Sequence, residues 1–489
     1  MNTMKYLNKI LVISTALLTV NACTNYVDFE PSETHEIVAG VYFQSKGDYE
    51  AILTGCYDPL QWLYLNTLIG DIATGNSLCG GESATDVIGL QQIDDYTHNP
   101  NNDNLTSIWQ WCYEGVNRVN YLEENKAKLD FEGKDAIYGQ AYFLRAYYYF
   151  ELVKFFGDVP LFTERRLDGT DSGTLQRTSK EEVYAQIEND LLEAVNSLPT
   201  TQNQAGRINK YAAQALLGKV YLFQDKFQEA ASMLQNVIGV YSLVPDYESQ
   251  FLKSGENGPE SVFEIQYSNE SEWYDWGCPT CGEGNFGIIH NGPRAYSGPQ
   301  FASGWSFNVP TAALYNSFDE GDTRRDASIL NIVAFSEETG ASYAEGYEHT
   351  GYFNRKYIPR AGESGAQTEL NYLTNYRAIR YADVLLMAAE ANARGNINED
   401  LARQYLNQVR ERAFGNSDHN ISSSGTALVQ AIWAERNLEL SMEGHHFFDL
   451  VRTGQAATEI EGFVSGKHDV FPVPQREIDI SGLTQNPQY

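Results

Sequence analysis

Basic residues are scarce in this sequence. Its 489 residues include 34 lysines and arginines against 65 aspartates and glutamates, which gives a formal net charge of −31 at pH 7. So many carboxylates repel the phosphate backbone of nucleic acids, so the composition argues against nucleic-acid binding and favours an uncharged ligand. Hydrophobic residues still make up 42% of the chain, which is enough to form a large folded core.

Long apolar runs are missing, apart from a short one near the start. After a basic segment, residues 10–20 are mostly apolar, and small polar residues lead to Cys23. This pattern predicts a secretory signal peptide over residues 1–22, because the run is too short to cross a bilayer core of about 30 Å. The sequence Val-Asn-Ala-Cys resembles the lipobox of bacterial lipoproteins, so we predict that Cys23 carries lipid. Ordinary secretion with an incidental cysteine is the alternative.

Cysteine is also scarce, so the fold cannot depend on a dense set of disulfides. Only Cys278 and Cys281 lie close together, within the stretch WYDWGCPTC. Because secretion passes through an oxidising compartment, we predict a disulfide between them, with free thiols as the alternative. A zinc knuckle would need a second ligand pair, for which the nearest candidate is His290 alone. A redox dithiol would need to cap a helix.

Motifs that indicate catalysis are absent from the sequence. It has no Gly-x-Ser-x-Gly elbow, no phosphate-binding glycine loop and no His-Glu-x-x-His pair. His445, His446 and Asp449 form a tight cluster, in which His445 and Asp449 could share a helix face, but the metalloprotease spacing is missing. We therefore predict a protein without enzymatic activity, metal or cofactor. A secreted glycoside hydrolase is a distant alternative, because two carboxylates for that chemistry could lie anywhere in an acidic chain.

Helical periodicity dominates the first half of the chain. Apolar residues step by three or four from Ile137 to Phe155, and Gly157 follows as a stop signal. Thr178 and Glu181 fit a capping box at the start of a second helix, which runs to Leu198. Further helices are expected near residues 49–57 and 108–122.

Two segments have the pattern of paired helices. Residues 210–238 match the tetratricopeptide spacing, with Gly218 and Ala230 where two helices approach closely and Tyr221 and Leu234 filling the groove between them. Residues 380–413 form a second, degenerate pair. About four such pairs would build a superhelical scaffold, and a helical hairpin arising by chance is the alternative. Residues 240–375 are instead rich in glycine, asparagine and aromatic residues, which predicts loops with a few short strands.

Five ordered motifs resemble the RagB/SusD family of outer-membrane lipoproteins from Bacteroidetes. They are FLRAYYYFELVKFFGDVPL (143–161), RYADVLLMAAEA (380–391), ERNLELSMEGHHFFDLVRTG (435–454), FPVPQREI (471–478) and LTQNPQY (483–489). The resemblance implies a mainly α fold with tetratricopeptide-like helix pairs and a loop-rich ligand face with a few short strands. It covers essentially the whole mature chain, as an N-terminal region over 23–225 and a C-terminal region over 226–489 that form one compact unit.

The resemblance also implies a function. Such a protein would be lipid-anchored on the outside of the outer membrane, capture an oligosaccharide, and pass it to a SusC-like TonB-dependent transporter. Peptide uptake by the same fold is the alternative. His446 and Thr453 depart from the Arg and Trp that the family often has there. Those motifs are structural, so the departures concern local packing. Arg145 and Glu151 are expected to be paired structural charges, as are Asp449 and Arg452.

Aromatic side chains in the loop-rich segment are the expected ligand contacts. Rigid rings offer a large contact area to the C–H face of a sugar, and on this ground we select Trp273, Tyr274, Trp276 and Trp305. Burial of the loop tryptophans in the core is the alternative. The polar segment after residue 70 supplies weaker candidates, namely Asp71, Asn76 and Tyr96.

The lipobox generates the first testable prediction. Cys23→Ser should leave the soluble domain folded but release it from the membrane fraction, because the acyl chains are the attachment. Fractionation of cells that express each form, followed by immunoblotting, measures the release. If the variant still sediments with outer membranes through a high-salt wash, Cys23 is not the anchor.

Overall fold

Helices make up most of the structure, a computed structural model that describes residues 42–171, 173–270, 278, 280–365 and 370–489. The predicted signal peptide and Cys23 lie outside these residues. The predicted mainly α fold is confirmed. The helices are α1 Lys46–Tyr57, α2 Tyr64–Ile72, α3 Ile88–Asp94, α4 Asp103–Glu124, α5 Lys134–Phe156, α6 Lys180–Ser197, α7 Lys210–Phe223, α8 Phe227–Gln235, α9 Ala312–Asn316, α10 Arg324–Ser328, α11 Ile332–Thr339, α12 Tyr381–Arg394, α13 Glu399–Phe414, α14 Thr426–Glu439, α15 His446–Arg452, α16 Ala456–Glu459 and α17 Gln475–Ser481.

Short antiparallel strand pairs lie mainly in the loop-rich part, as expected. The pairs are β1–β4, β2–β8, β3–β6 and β5–β7. Their bounds are β1 Ser77–Leu78, β2 Ser261–Ile265, β3 Arg294–Ser297, β4 Val309–Pro310, β5 Ile329–Asn331, β6 Ser342–Ala344, β7 Tyr352–Asn354 and β8 Tyr376–Arg380. Among the described residues, no helix has the length and apolar character needed to cross a membrane.

Helix α5 is the centre of the helical half. It is buried on every side rather than along one stripe, and it ends at Gly157, whose φ of 70° few other residues adopt. Helices α4 and α6 pack against it. Its buried charges Arg145 and Glu151 each have a different partner. Arg145 binds Asp190 at 2.7 Å, and Glu151 binds Lys154 at 2.7 Å. Both charges are therefore structural, as expected.

The two predicted helix pairs are present as α7–α8 and α12–α13. A Cβ atom added to Gly218 would lie 2.5 Å from the Leu234 side chain, so glycine is required for the close approach of α7 and α8. Ala230 is fully buried and Tyr221 is 8% exposed between them. The tetratricopeptide spacing therefore indicated the correct packing.

The start of α6 differs from the prediction by one residue. Thr178 is not the cap, because its backbone pairs with Val159 through two hydrogen bonds of 3.0 and 3.2 Å. Ser179 caps the helix instead, and its hydroxyl accepts a hydrogen bond from the Glu182 N–H at 3.3 Å. Overlapping Thr-x-x-Glu and Ser-x-x-Glu patterns made the choice ambiguous, and the backbone pairing decides it.

A buried set of charges joins the loop-rich part to the helices. We call it the Glu439 network. The Glu439 carboxylate, on α14, lies 3.0 Å from Arg324, 2.9 Å from Arg380 and 2.6 Å from Arg412. Its further members are Glu260, Asp322, Lys356, Glu435 and Glu443. None of these side chains is more than 4% exposed, so the ion pairs form in a region from which water is excluded.

Removal of the central carboxylate should destabilise the fold. Glu439→Ala leaves three buried guanidinium groups short of a partner, and breaking a buried pair costs about 3–5 kcal/mol. Urea denaturation measures the change in the free energy of unfolding. Glu50→Ala is the control, since Glu50 forms an exposed pair with Lys46 at 3.7 Å and such pairs contribute less than about 1 kcal/mol. Equal losses in the two variants would contradict a structural role for the network.

Candidate functional site

Four half-buried aromatic rings form a continuous line on the surface, which we call the aromatic row. The ring centroids of Trp111 and Tyr64 lie 5.7 Å apart, those of Tyr64 and Phe286 5.0 Å, and those of Phe286 and Trp305 5.6 Å. All four residues are intermediate in exposure, so each presents part of its surface to solvent. A contiguous set of partly exposed rings is a candidate binding surface.

A buried histidine supports the row from below. The His290 ring stacks on Tyr64 at 5.2 Å and contacts Phe286 at 5.1 Å and Trp305 at 5.2 Å. Burial lowers the pKa of His290 to about 4, so the imidazole is neutral near pH 7. It therefore acts as a packing residue that fixes the angles of three rings.

Local structure explains why these rings are only half-buried. Trp111 lies on α4 at the edge of the buried stripe that includes Ile108, Cys112 and Val119. Phe286 begins a 3-10 turn, Phe286–His290. The backbone N–H of Trp305 donates to the Ile289 carbonyl at 2.7 Å, which attaches the Trp305 segment to this turn.

One end of the row carries charged side chains. The Arg294 guanidinium donates to the Trp305 carbonyl at 2.9 Å and lies 3.6 Å from Glu82 and 3.8 Å from Asp86. The segment that bears these carboxylates is held in place because the Gly81 N–H donates to the Ser306 carbonyl at 2.7 Å. Aromatic faces and hydrogen-bonding groups of both signs thus lie side by side.

A disulfide precedes Phe286 in the chain. Cys278 and Cys281 are joined, as predicted. The Ser268 N–H donates to the Glu283 carbonyl at 2.8 Å, so the two ends of the segment from residue 268 to residue 283 are hydrogen-bonded to each other. Trp273, Tyr274 and Trp276 belong to this segment but lie outside the described residues, so their role stays a prediction.

The remaining predicted ligand contacts do not all belong to the aromatic row. Trp305 is part of the row. Asp71 is a correction: it is 3% exposed and accepts hydrogen bonds from the Asn308 amide at 2.9 Å and the Gly444 N–H at 2.8 Å. Burial raises the pKa of its carboxyl to about 7. The polar segment after residue 70 suggested a loop, but Asp71 lies in α2, which is almost wholly buried.

Tyr96 is also a correction, whereas the role of Asn76 as a ligand contact stays a prediction. Tyr96 is 8% exposed, and its hydroxyl donates to the Ala73 carbonyl at 2.5 Å. The Asn76 amide donates to Asn437 at 2.6 Å and lines a separate cavity of about 320 Å³ with Trp433. Tyr64 is the first residue of α2, and Asn76 lies beyond the last one. The nine residues of this helix span about 13 Å. Neither side chain reaches the row.

The carboxylate of the histidine cluster considered for metal binding already forms ion pairs. Asp449 binds Arg436 at 3.1 Å and Arg452 at 2.8 Å, the second of which was predicted. Burial lowers the pKa of His445 well below its usual range and that of His446 to about 4. In the described part of the chain, no group of three or more His, Cys, Asp or Glu side chains could hold a metal ion.

Known proteins resemble this chain over almost its full length. A family model described as starch-binding associating with outer membrane matches residues 43–222, and the SusD family model matches residues 259–489. A solved laminarin binding SusD-like protein is 35% identical, with a TM-score of 0.83 over 91% of this chain and 100% of that chain. The chain belongs to the SusD family.

Two further SusD-type proteins show the same relationship. Surface glycan-binding protein A from Bacteroides thetaiotaomicron, solved in complex with laminarihexaose, is 28% identical, with a TM-score of 0.79 over 90% of this chain and 99% of that chain. SusD-like protein P2 from Formosa agariphila is 27% identical over 97% of this chain and 98% of that protein. The resemblance drawn from five sequence motifs is therefore confirmed.

The disulfide of this SusD-family protein can be tested directly. Alkylation of the denatured, unreduced protein should modify Cys56, Cys79 and Cys112, which are free, and leave Cys278 and Cys281 unmodified. Mass spectrometry of the digested protein measures both sets, and a reduced sample, in which all five are modified, is the control. Alkylation of Cys278 without reduction would show that the pair is not joined.

Proposed function

We propose that this protein binds a neutral glucan of the laminarin type at the aromatic row. The observation that carries the proposal is the row itself, because a sugar ring offers a face of C–H groups that packs on flat aromatic rings. The laminarin-binding relatives support the choice of cargo. The net charge of −31 supports a neutral chain over an anionic one.

The polar end of the row suits sugar hydroxyls. Arg294 offers N–H donors, while Glu82 and Asp86 offer acceptors within 4 Å of its guanidinium. A hydroxyl group both donates and accepts, so a glucan can use both kinds of partner. Trp273, Tyr274 and Trp276 are proposed as further stacking surfaces on sequence grounds.

The proposed role is capture and delivery rather than catalysis. A lipid on Cys23 would hold the protein at the outer membrane, facing outward, and the bound oligosaccharide would pass to a SusC-like TonB-dependent transporter. The family description, which associates such proteins with the outer membrane, supports this location. The relatives named above are binding proteins, which supports a role without turnover.

Removal of a ring from the row should weaken glucan binding. Stacking of a base on an aromatic side chain, the nearest measured analogue, contributes about 1–3 kcal/mol. A sugar has no π face and is well hydrated, so we expect the low end of that range. Trp305→Ala and Trp111→Ala should therefore each weaken laminarihexaose binding about tenfold, as measured by isothermal titration calorimetry.

A matched control separates binding from folding. Trp433 is also half-buried but lies in the separate cavity beside Asn76, so Trp433→Ala should bind laminarihexaose as the parent protein does. Thermal melting of each variant shows whether it is folded. Unchanged affinity in both row variants, binding to peptides but not to glucans, or new reducing ends during incubation with laminarin would each overturn the proposal.

A further inference from the structure

A second concave surface lies beside the aromatic row, and Cys281 of the disulfide is part of its lining. We call it the polar groove. Its volume is about 590 Å³, which falls within the range of about 300–1,000 Å³ that is usual for ligand pockets. Four chain segments line it: residues 54–61, 204–207, 264–268 and 280–283. The predicted ligand residues include none of these positions.

The groove begins close to the two central rings of the aromatic row. Gln61 lines the groove and Tyr64 belongs to the row, while Glu283 lines the groove and Phe286 belongs to the row. Three residues span at most about 11 Å even when fully extended, so two separate chain segments connect the groove to the row over a short distance. One extended ligand could therefore contact both surfaces.

Two buried polar atoms in the groove lack partners. The Gln61 amide nitrogen donates to the Gln266 carbonyl at 2.9 Å, which fixes the orientation of the amide. Its oxygen Oε1 then has no hydrogen-bond partner within the part of the chain that the structure describes, and the same holds for Nη1 of Arg207. A buried donor or acceptor without a partner destabilises a protein, so a ligand hydroxyl that reaches these atoms would supply bonds that the described chain does not.

The arginine is held in a fixed position rather than left free to move. Its Nη2 donates to the Thr54 hydroxyl at 2.8 Å, its Nε donates to Gln204 at 3.2 Å, and its guanidinium lies 4.9 Å from the Tyr57 ring centroid. An oriented donor of this kind suits recognition of a defined group.

The charges around the groove indicate a neutral ligand. Asp58, Glu264 and Glu283 also line it. Asp58 is paired with Arg118 at 2.6 Å and Glu264 lies 3.7 Å from Arg377, which leaves Glu283 to balance the single positive charge of Arg207. The charges of the lining therefore balance, and a hydroxyl group can donate to Gln61 Oε1 and accept from Arg207 Nη1. A neutral polyol therefore matches both the unpaired atoms and the local charge.

We propose that the polar groove binds the continuation of the same glucan chain that stacks on the aromatic row. This inference rests on the proposed function and deepens it, because it makes affinity depend on chain length. A short oligosaccharide contacts only the row, and a longer one also enters the groove, where its hydroxyls pair with Gln61 and Arg207.

Calorimetry with laminarioligosaccharides from the dimer to the hexamer tests the inference. The parent protein should bind the hexamer more tightly than the trimer. Gln61→Leu and Arg207→Met, which keep most of the side-chain volume, should each weaken hexamer binding about five- to tenfold and leave trimer binding unchanged. Gln430→Leu, a glutamine in the separate cavity, is the matched control and should bind both ligands as the parent does.

The outcomes distinguish the two proposals. Parental affinity for every chain length in both groove variants, together with weak binding in Trp305→Ala, would overturn the groove and leave the function intact. Parental affinity in Trp305→Ala and Trp111→Ala would overturn the function. Equal weakening of trimer and hexamer in a folded groove variant would show that the groove is not a chain-length-dependent extension. Two groove variants on separate segments keep the test valid if one of them fails to fold.

Discussion

Contacts between buried guanidinium and carboxylate groups hold the helices and the loop-rich part in a fixed relation. Arg380, which ends β8, lies within 3.0 Å of Glu260, Glu439 and Glu443. Arg324, from α10, contacts the same α14 carboxylate. Because each charge was removed from water, none can leave the network without exposing an unpaired partner. The network therefore favours one arrangement of loop segments against the helices.

A second set of buried charges explains the family motifs. Asp383 binds Lys219 at 3.2 Å and Arg436 at 2.8 Å, while Glu390 binds Arg452 at 2.7 Å. The arginines of ERNLELSMEGHHFFDLVRTG thus pair with the acids of RYADVLLMAAEA across α12, α14 and α15. His446 and Thr453, where the sequence departs from the usual family residues, are not needed for these pairs, which explains why the motif can change there.

The helical half could be predicted because its information is local. Apolar spacing indicated α5 and both helix pairs, and the punctuation by Gly157 indicated where α5 ends. The row could not be predicted, since Tyr64, Trp111, Phe286 and Trp305 come from four distant segments that only tertiary contacts bring together. Trp111 offered no clear signal, because it lies at the edge of the apolar stripe of α4 rather than away from it. Asp71 and Tyr96 were misassigned because polar composition does not reveal burial.

The framework and the proposed binding surface depend on different kinds of interaction. Charges that are paired inside the protein fix the framework, whereas the surface of the proposed site consists of four rings, three of which pack on neutral His290. A neutral glucan offers few strong contacts, so its affinity must come from many weak ones made by groups that are already in place. Rings that lose little conformational freedom on binding meet this requirement. The proposed continuation of the ligand from the row into the polar groove follows the same principle, because a longer contact along one sugar chain adds weak interactions without requiring a stronger one.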